Sequence, residues 1–238
     1  MISVAILGAS GRMGSLTRDI VDSDPNLKLH AALGSKSDLA MMLGADVVVD
    51  FTLPDVSPRM VQFAIENDLK ILVGTSGWSQ AKLAEVQELL NRHPKAGAVV
   101  VPNFSVGSML LQRFSAEAAK YFASAEIIEA HHAGKIDSPS GTAIATAESI
   151  AKSRDLEHLV PGVGQAARGE IHLGVPIHSL RQPGVSARQD VIFGADSEQL
   201  KISHDVLSHT AYSLGILRSI EFAHSHAGLT VGLEKVLA

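Results

Sequence analysis

Five short apolar runs punctuate the first part of the chain: VAIL (4–7), LHAAL (29–33), VVVDF (47–51), ILVG (71–74) and AVVVP (98–102). Runs that stay apolar without alternating read as strands buried on both faces, the condition of a parallel sheet covered by helices. Most of the intervals between them carry helical spacing. Met13, Leu16, Ile20 and Val21 share one face, as do Val56, Met60, Phe63 and Ala64, and then Leu83, Val86 and Leu90. Strand and helix alternating in this way predict βαβ units and an α/β, doubly wound parallel sheet.

After Pro102 the rhythm changes. Helices are predicted over 106–122 and 142–153, with a strand AEIIEA (125–130) between them. Ile171, Leu173, Val175 and Ile177 then alternate strictly with His172, Gly174, Pro176 and His178, the period of a sheet with unlike faces. RQDVIFGA (188–195) and EQLKISHD (198–205) continue that pattern, with turns at Pro183-Gly184 and Ala195-Asp196. PGVGQ (161–165) and GADSE (194–198) read as loops. The closing TAYSLGILRSIEFAH and GLTVGLEKVLA return to helical spacing, a tail able to pack back on the first domain.

Composition narrows the function. A net charge of -5 with no Lys/Arg cluster argues against a general nucleic-acid binder, since phosphate neutralisation needs a basic face. The absence of cysteine removes thiol nucleophiles, thiolate metal sites and disulfides. No window reaches the roughly 18 to 20 apolar residues of a membrane span. A soluble, cytoplasmic protein is expected, with no membrane partner and no nucleic acid.

Gly8, Gly11 and Gly14 in GASGRMG follow a strand and open a helix, so backbone N–H groups and the helix dipole can meet a pyrophosphate. About 20 residues on, where an acid usually holds the ribose 2′-hydroxyl of NAD, the chain has Gly34, Ser35 and Lys36. Ser35 and Lys36 can bond and neutralise a 2′-phosphate, which favours NADPH over NADH; alternatively, Asp38 reaches the ribose and Lys36 is a solvated turn residue.

The run EIIEAHHAGKIDSPSGTA (126–143) is the densest in chemistry. His131 and His132 end a strand, where consecutive side chains face opposite ways, so they are poorly placed to share a metal, and no metal is expected. Acid/base or substrate-binding roles suit them better. Lys135, with Ser140, Gly141 and Thr142 at a helix start, makes a pocket for a carboxylate. DSPSGT also reads as a plain helix cap, with Asp137 or Ser138 accepting from backbone N–H groups.

EAHHAGKIDSPSGTA resembles the E-x-H-H-x-x-K-x-D-[AS]-P-S-G-T-A signature of the dihydrodipicolinate reductase (4-hydroxy-tetrahydrodipicolinate reductase) family. GASGRMG, VVVDFTLPDV, VGTSGW, VPNFSVG, VIFGADSEQLKISHD and GLTVGLEKVL match in order along nearly the whole chain. The resemblance implies a Rossmann-like dinucleotide-binding domain of residues 1–104 completed by 210–238. It also implies a second α+β domain, 105–209, with a mixed open sheet that binds substrate and assembles a homotetramer, and hinges near Phe104 and His209.

By the same resemblance, NADPH or NADH delivers hydride to a cyclic imine dicarboxylate, giving tetrahydrodipicolinate on the diaminopimelate route to lysine. His131 would be the general acid and Lys135 a proton donor or electrostatic anchor, with His132, Ser140, Gly141 and Thr142 holding a substrate carboxylate. Arg12, Met13, Phe51, Thr52, Gly74, Ser76, Asn103 and Phe104 would complete the cofactor site. Two positions depart from the pattern: Gly34 stands where many members have an acid, and His209 where many have an arginine. The competing expectations are another imine or carbonyl reductase on the same fold, and a nucleotide-sensing regulator without catalysis. No Tyr-x-x-x-Lys pair is present, and His131 and Lys135 are intact.

Overall fold

The computed structural model describes residues 1–154 and 165–238, so the loop read at PGVGQ lies, but for Gln165, outside the described residues. The chain divides into two units, Met1–Val106 with Tyr212–Ala238, and Gly107–Ala211.

The first unit opens with β1 (Ile2–Leu7), α1 (Arg12–Ser23), β2 (Leu27–Leu33), β3 (Val47–Asp50), α2 (Ser57–Glu66), β4 (Lys70–Val73), α3 (Gln80–Arg92) and β5 (Gly97–Val100). The continuous apolar runs are explained by burial: β3 and β5 are buried at every residue and β4 at all but Lys70. Only β2, at the sheet edge, alternates.

The second unit holds α4 (Val106–Ala118), β6 (Ser124–His131), α5 (Gly141–Ser153), β7 (Glu170–His172), β8 (Val175–Arg181), β9 (Ala187–Ala195) and β10 (Glu198–Val206). Its five-stranded sheet has the order β10-β9-β6-β8-β7, with β6 and β8 parallel and the other pairs antiparallel, a mixed sheet. One face is packed by helices: Ala125, Ile127, Val175, Ile177, Val191 and Phe193 form a core with Leu111, Ala143, Ala147 and Ile150.

The alternating stretch 171–177 is divided between two strands, β7 and β8. Leu173 and Gly174 take positive φ, 47° and 80°, and make a two-residue hairpin in which His172 pairs with Val175. A tight turn of this kind preserves the alternation of the residues around it, so the sequence period continues through the reversal.

The chain then returns through α6 (Ser213–Ser225), β11 (Gly228–Val231) and α7 (Leu233–Val236). Helical spacing was expected throughout this tail, but GLTV is a strand, parallel to β5 at the edge of the first sheet. The complete parallel sheet runs β11-β5-β4-β3-β1-β2. α1 and α6 pack together, as do α2 and α3, and the two pairs cover the sheet in a Rossmann-like doubly wound arrangement. No helix among the described residues is long and apolar enough to cross a membrane.

The turn from β1 into α1 depends on missing side chains. Gly8 has φ +73°, and a Cβ on it would lie 2.5 Å from the Phe51 carbonyl oxygen; a Cβ on Gly14 would collide with the Gly8 carbonyl. Gly14→Ala is therefore expected to cost about 1–3 kcal/mol by forcing the turn apart. Gly34→Ala, whose Cβ meets nothing within 4 Å, should stay within about 0.5 kcal/mol of the parent. Urea denaturation of both variants measures the difference.

Candidate active site and nucleotide cradle

In the first unit, the expected cofactor residues follow the C-terminal ends of parallel strands, the edge where open α/β sheets bind nucleotides. α1 has Gly11 as its N-cap with no side-chain cap hydrogen bond, so its first-turn amides, at Arg12, Met13 and Gly14, remain available to an anion. Arg12 is exposed and Met13 half-buried. The close Gly8–Gly14 approach shapes a cradle that side chains would fill, and it fits a dinucleotide pyrophosphate.

Asp50, completely buried at the end of β3, organises the adjoining loop. Its carboxylate accepts from Thr52 N–H (2.9 Å), Thr52 Oγ1 (2.6 Å) and the Ser57 hydroxyl. Phe51 meets Phe104 edge-on, with centroids 5.6 Å apart. A Cβ on Gly74 would strike both rings, so Gly74, Phe51 and Phe104 are one packed group. Ser76 is exposed, and the Asn103 side-chain oxygen accepts from Ser105 N–H at 2.9 Å.

Ser35 and Lys36 sit apart from that group, exposed in the turn after β2 that Ser37 closes onto Gly34 N–H at 3.0 Å. Asp38 accepts from Ala40 N–H at 3.0 Å, capping the short 3-10 helix Leu39–Met42. Beside it is a surface depression of 530 Å³ lined in part by Ser37, Asp38 and Arg59.

In the second unit, β6 delivers the histidine run. Ala125, Ile127, Glu129 and His131 alternate onto the helix-covered face, and His132 beyond them is exposed. Glu129 is wholly buried. Its Oε2 lies 2.6 Å from His131 Nδ1, and Arg181 grips both of its oxygens at 2.9 and 2.8 Å. Oε1 also accepts from Ser140 N–H at 3.2 Å. Arg181 Nη2 donates further to the Asp137 carbonyl at 2.6 Å. The loop from His131 to Ser140 is thus closed at both ends by one carboxylate and held in its middle by one guanidinium.

Within the loop, Lys135 Nζ donates to Asp137 Oδ1 at 2.7 Å. The cap of α5 is Ser140, whose Oγ accepts from Ala143 N–H at 3.2 Å, rather than Asp137 or Ser138: those two lie three and two residues before the N-cap, and Asp137 is engaged by Lys135. Because the Ser140 oxygen accepts, its hydroxyl hydrogen is left to donate. Gly141 and Thr142 occupy the first turn, at the positive end of the helix dipole.

The charges respond to this packing. Burial works against the Glu129 carboxylate, yet hydrogen bonds from Arg181, Ser179 and His131 hold it below the ordinary range. Burial pushes the His131 imidazole down; Glu129 pulls it up, and Lys135 and Arg181 add to the lowering. The Lys135 hydrogen bond keeps Asp137 low. Among the described residues no group of three His, Cys, Asp or Glu side chains is arranged to hold a metal.

Three residues that shape the site were missed from sequence. Glu129 had a signal, the period-2 pattern that puts it on the same face as His131. Arg181 had none, because it reaches the site through the cross-strand pairing of His131 with Arg181 on β8. Asp50 stood in plain view as the acid ending VVVD, but its bonds to Thr52 and Ser57 depend on the loop's return.

Residues 2–104 match the family model for the dihydrodipicolinate reductase N-terminus and residues 107–237 that for its C-terminus. The 4-hydroxy-tetrahydrodipicolinate reductase of Clavibacter sepedonicus is 45% identical over 237 residues, covering 99% of this chain and 86% of the relative. That of Corynebacterium urealyticum is 42% identical over 245 residues, covering 100% and 99%. Among solved structures, dipicolinate-bound dihydrodipicolinate reductase from Paenisporosarcina sp. TG-14 superposes with a TM-score of 0.86 at 31% identity, covering 99% of both chains.

Proposed function

The chain belongs to the dihydrodipicolinate reductase family, and from that premise we propose that it reduces 4-hydroxy-tetrahydrodipicolinate, or its dehydrated form dihydrodipicolinate, to tetrahydrodipicolinate on the diaminopimelate route to lysine. The observation that carries this reading is the loop 131–140, in which Glu129 and Arg181 tie the His131 imidazole to the N-terminus of α5 and to the Asp137 carbonyl, with the Lys135 amine held on Asp137 between them.

A bound reduced nicotinamide supplies the hydride. His131 gives one proton to the ring as hydride arrives, so that one hydride and one proton add across a single unsaturated bond and the imidazolium becomes neutral. Lys135 stabilises the negative charge that develops on the ring in the transition state. His132, the Ser140 hydroxyl and the amides of Gly141 and Thr142 hold one substrate carboxylate, and a carboxylate reaching Lys135 competes with Asp137 for the ammonium. Gly8, Gly11, Arg12, Met13 and Gly14 take the pyrophosphate half of the cofactor, and Phe51, Thr52, Gly74, Ser76, Asn103 and Phe104 the remainder.

NADPH is the preferred cofactor. Ser35 and Lys36 are exposed in the turn where a 2′-phosphate would lie, Asp38 is committed to capping, and Arg59 supplies a further cation nearby. The assembly is a homotetramer in the cytoplasm, built on the face of the second sheet opposite the one that α4 and α5 cover. Ile128, Leu180 and Ile192 lie on that face among the charged groups Glu126, Arg188 and Asp190, with Leu180 41% exposed.

The test of the reaction is nucleotide oxidation in a coupled assay that generates the unstable substrate in place. His131→Ala and Lys135→Ala are each expected to lower kcat by about 10²- to 10⁴-fold with little change in nucleotide affinity; near-parental turnover in both defeats the assignment. NADPH should give the higher kcat/KM, an advantage reduced in Lys36→Ala.

The pH dependence follows from burial of His131. The acid form is lost as pH rises, so kcat/KM, which reports the free protein, should fall through a midpoint below the ordinary histidine value. In kcat the midpoint should lie higher, because a bound dianion stabilises the imidazolium. Light scattering should find four subunits, and Ile192→Glu should reduce that number.

A further inference from the structure

The bonds around Glu129 exceed what a structural ion pair needs. Arg181 alone satisfies the carboxylate bidentately, at 2.9 and 2.8 Å. The same two oxygens nevertheless receive His131 Nδ1 at 2.6 Å and Ser140 N–H at 3.2 Å, both from the ends of the substrate loop. An ionised carboxylate only accepts, so the hydrogen between it and His131 belongs to the imidazole, and the neutral ring is the tautomer protonated at Nδ1. Nε2 is then the nitrogen that gains and loses the catalytic proton.

We infer that Glu129 and Arg181 are positioning residues for the reduction: Glu129 fixes the tautomer and orientation of His131, and Arg181 keeps Glu129 ionised while tying the loop to it through the Asp137 carbonyl. This rests on the reading of His131 as proton donor. It goes beyond that reading by assigning which nitrogen donates and what selects it.

The charged groups acting on His131 are Glu129 from its own strand, Lys135 from the loop and Arg181 from β8. Glu129 is the one that favours the imidazolium, whereas Arg181 and Lys135 oppose it. Neutralising Glu129 therefore shifts the loss of the acid form to lower pH, whereas removing Arg181 both lifts an opposing charge and frees the carboxylate it holds ionised, two effects of opposite sign on the same titration.

Two measurements decide the matter. Nitrogen-15 imidazole spectra of the full-length parent chain, titrated in the absence of substrate, should show neutral His131 protonated at Nδ1; an Nε2-protonated ring overturns the inference and requires no variant to fold. In the coupled assay, Glu129→Gln and Arg181→Met should each lower kcat by about 10-fold or more. The alkaline limb of kcat/KM should move down in Glu129→Gln, and Glu129→Asp, which keeps the charge, should leave that limb near the parent. A limb that stays put or rises in Glu129→Gln overturns the inference. His131→Gln, run alongside, separates the two levels: full activity there defeats the donor role itself, whereas lost activity with an unmoved limb in Glu129→Gln defeats only the positioning roles.

Discussion

A negative charge in an apolar interior is the constraint around which the second unit's chemistry is arranged. Desolvating a carboxylate costs several kcal/mol, and removing one partner from a buried pair typically costs about 3–5 kcal/mol because the remaining charge has no compensation. Glu129 is 0% exposed and remains ionised because Arg181, His131 and the Ser140 amide converge on it. Those donors belong to β6, β8 and the start of α5, so satisfying one acid sets the positions of three elements at once. The histidine-lysine loop inherits its shape from that requirement.

The first unit uses the same device. Asp50 is also 0% exposed, and its acceptors are filled by Thr52 and Ser57 from the loop that follows β3. Thr75 Oγ1 adds bonds to the carbonyls of Asp50 and Thr52, at 3.3 and 3.4 Å, linking that loop to the one after β4. In each unit a buried acid stands at or within two residues of a strand's end, and the loop beyond is ordered by the acid's need for donors. Loops built in this way carry functional groups at fixed positions without requiring apolar packing of their own.

How much of this was legible in the sequence depended on how local each cause is. Strands β1 and β3 to β5 were readable because burial on both faces leaves an unbroken apolar run, and α5 because Ser140-Gly141-Thr142 opens a helix. The glycine turn was readable because its sterics involve residues six apart, Gly8 and Gly14. The hairpin at Leu173-Gly174 was hidden because its turn does not interrupt the alternation around it. GLTV was hidden because a four-residue edge strand carries too little pattern to compete with the helical spacing on either side. Arg181 was hidden for a third reason: its partner Glu129 is 52 residues away, a separation that only the pairing of β6 with β8 closes.

The parallel sheet draws on both ends of the chain. β11 completes it beside β5, and α6 covers β3, β4 and β5. During synthesis the ribosome therefore releases β3 to β5 long before α6, and the apolar surface that α6 covers must wait while more than a hundred further residues are added. The intervening unit has all its strands and helices within one continuous segment, Gly107–Ala211, and is free of that delay. The middle segment can therefore complete its contacts before the amino-terminal one, whose last strand and covering helix are the final parts to be made.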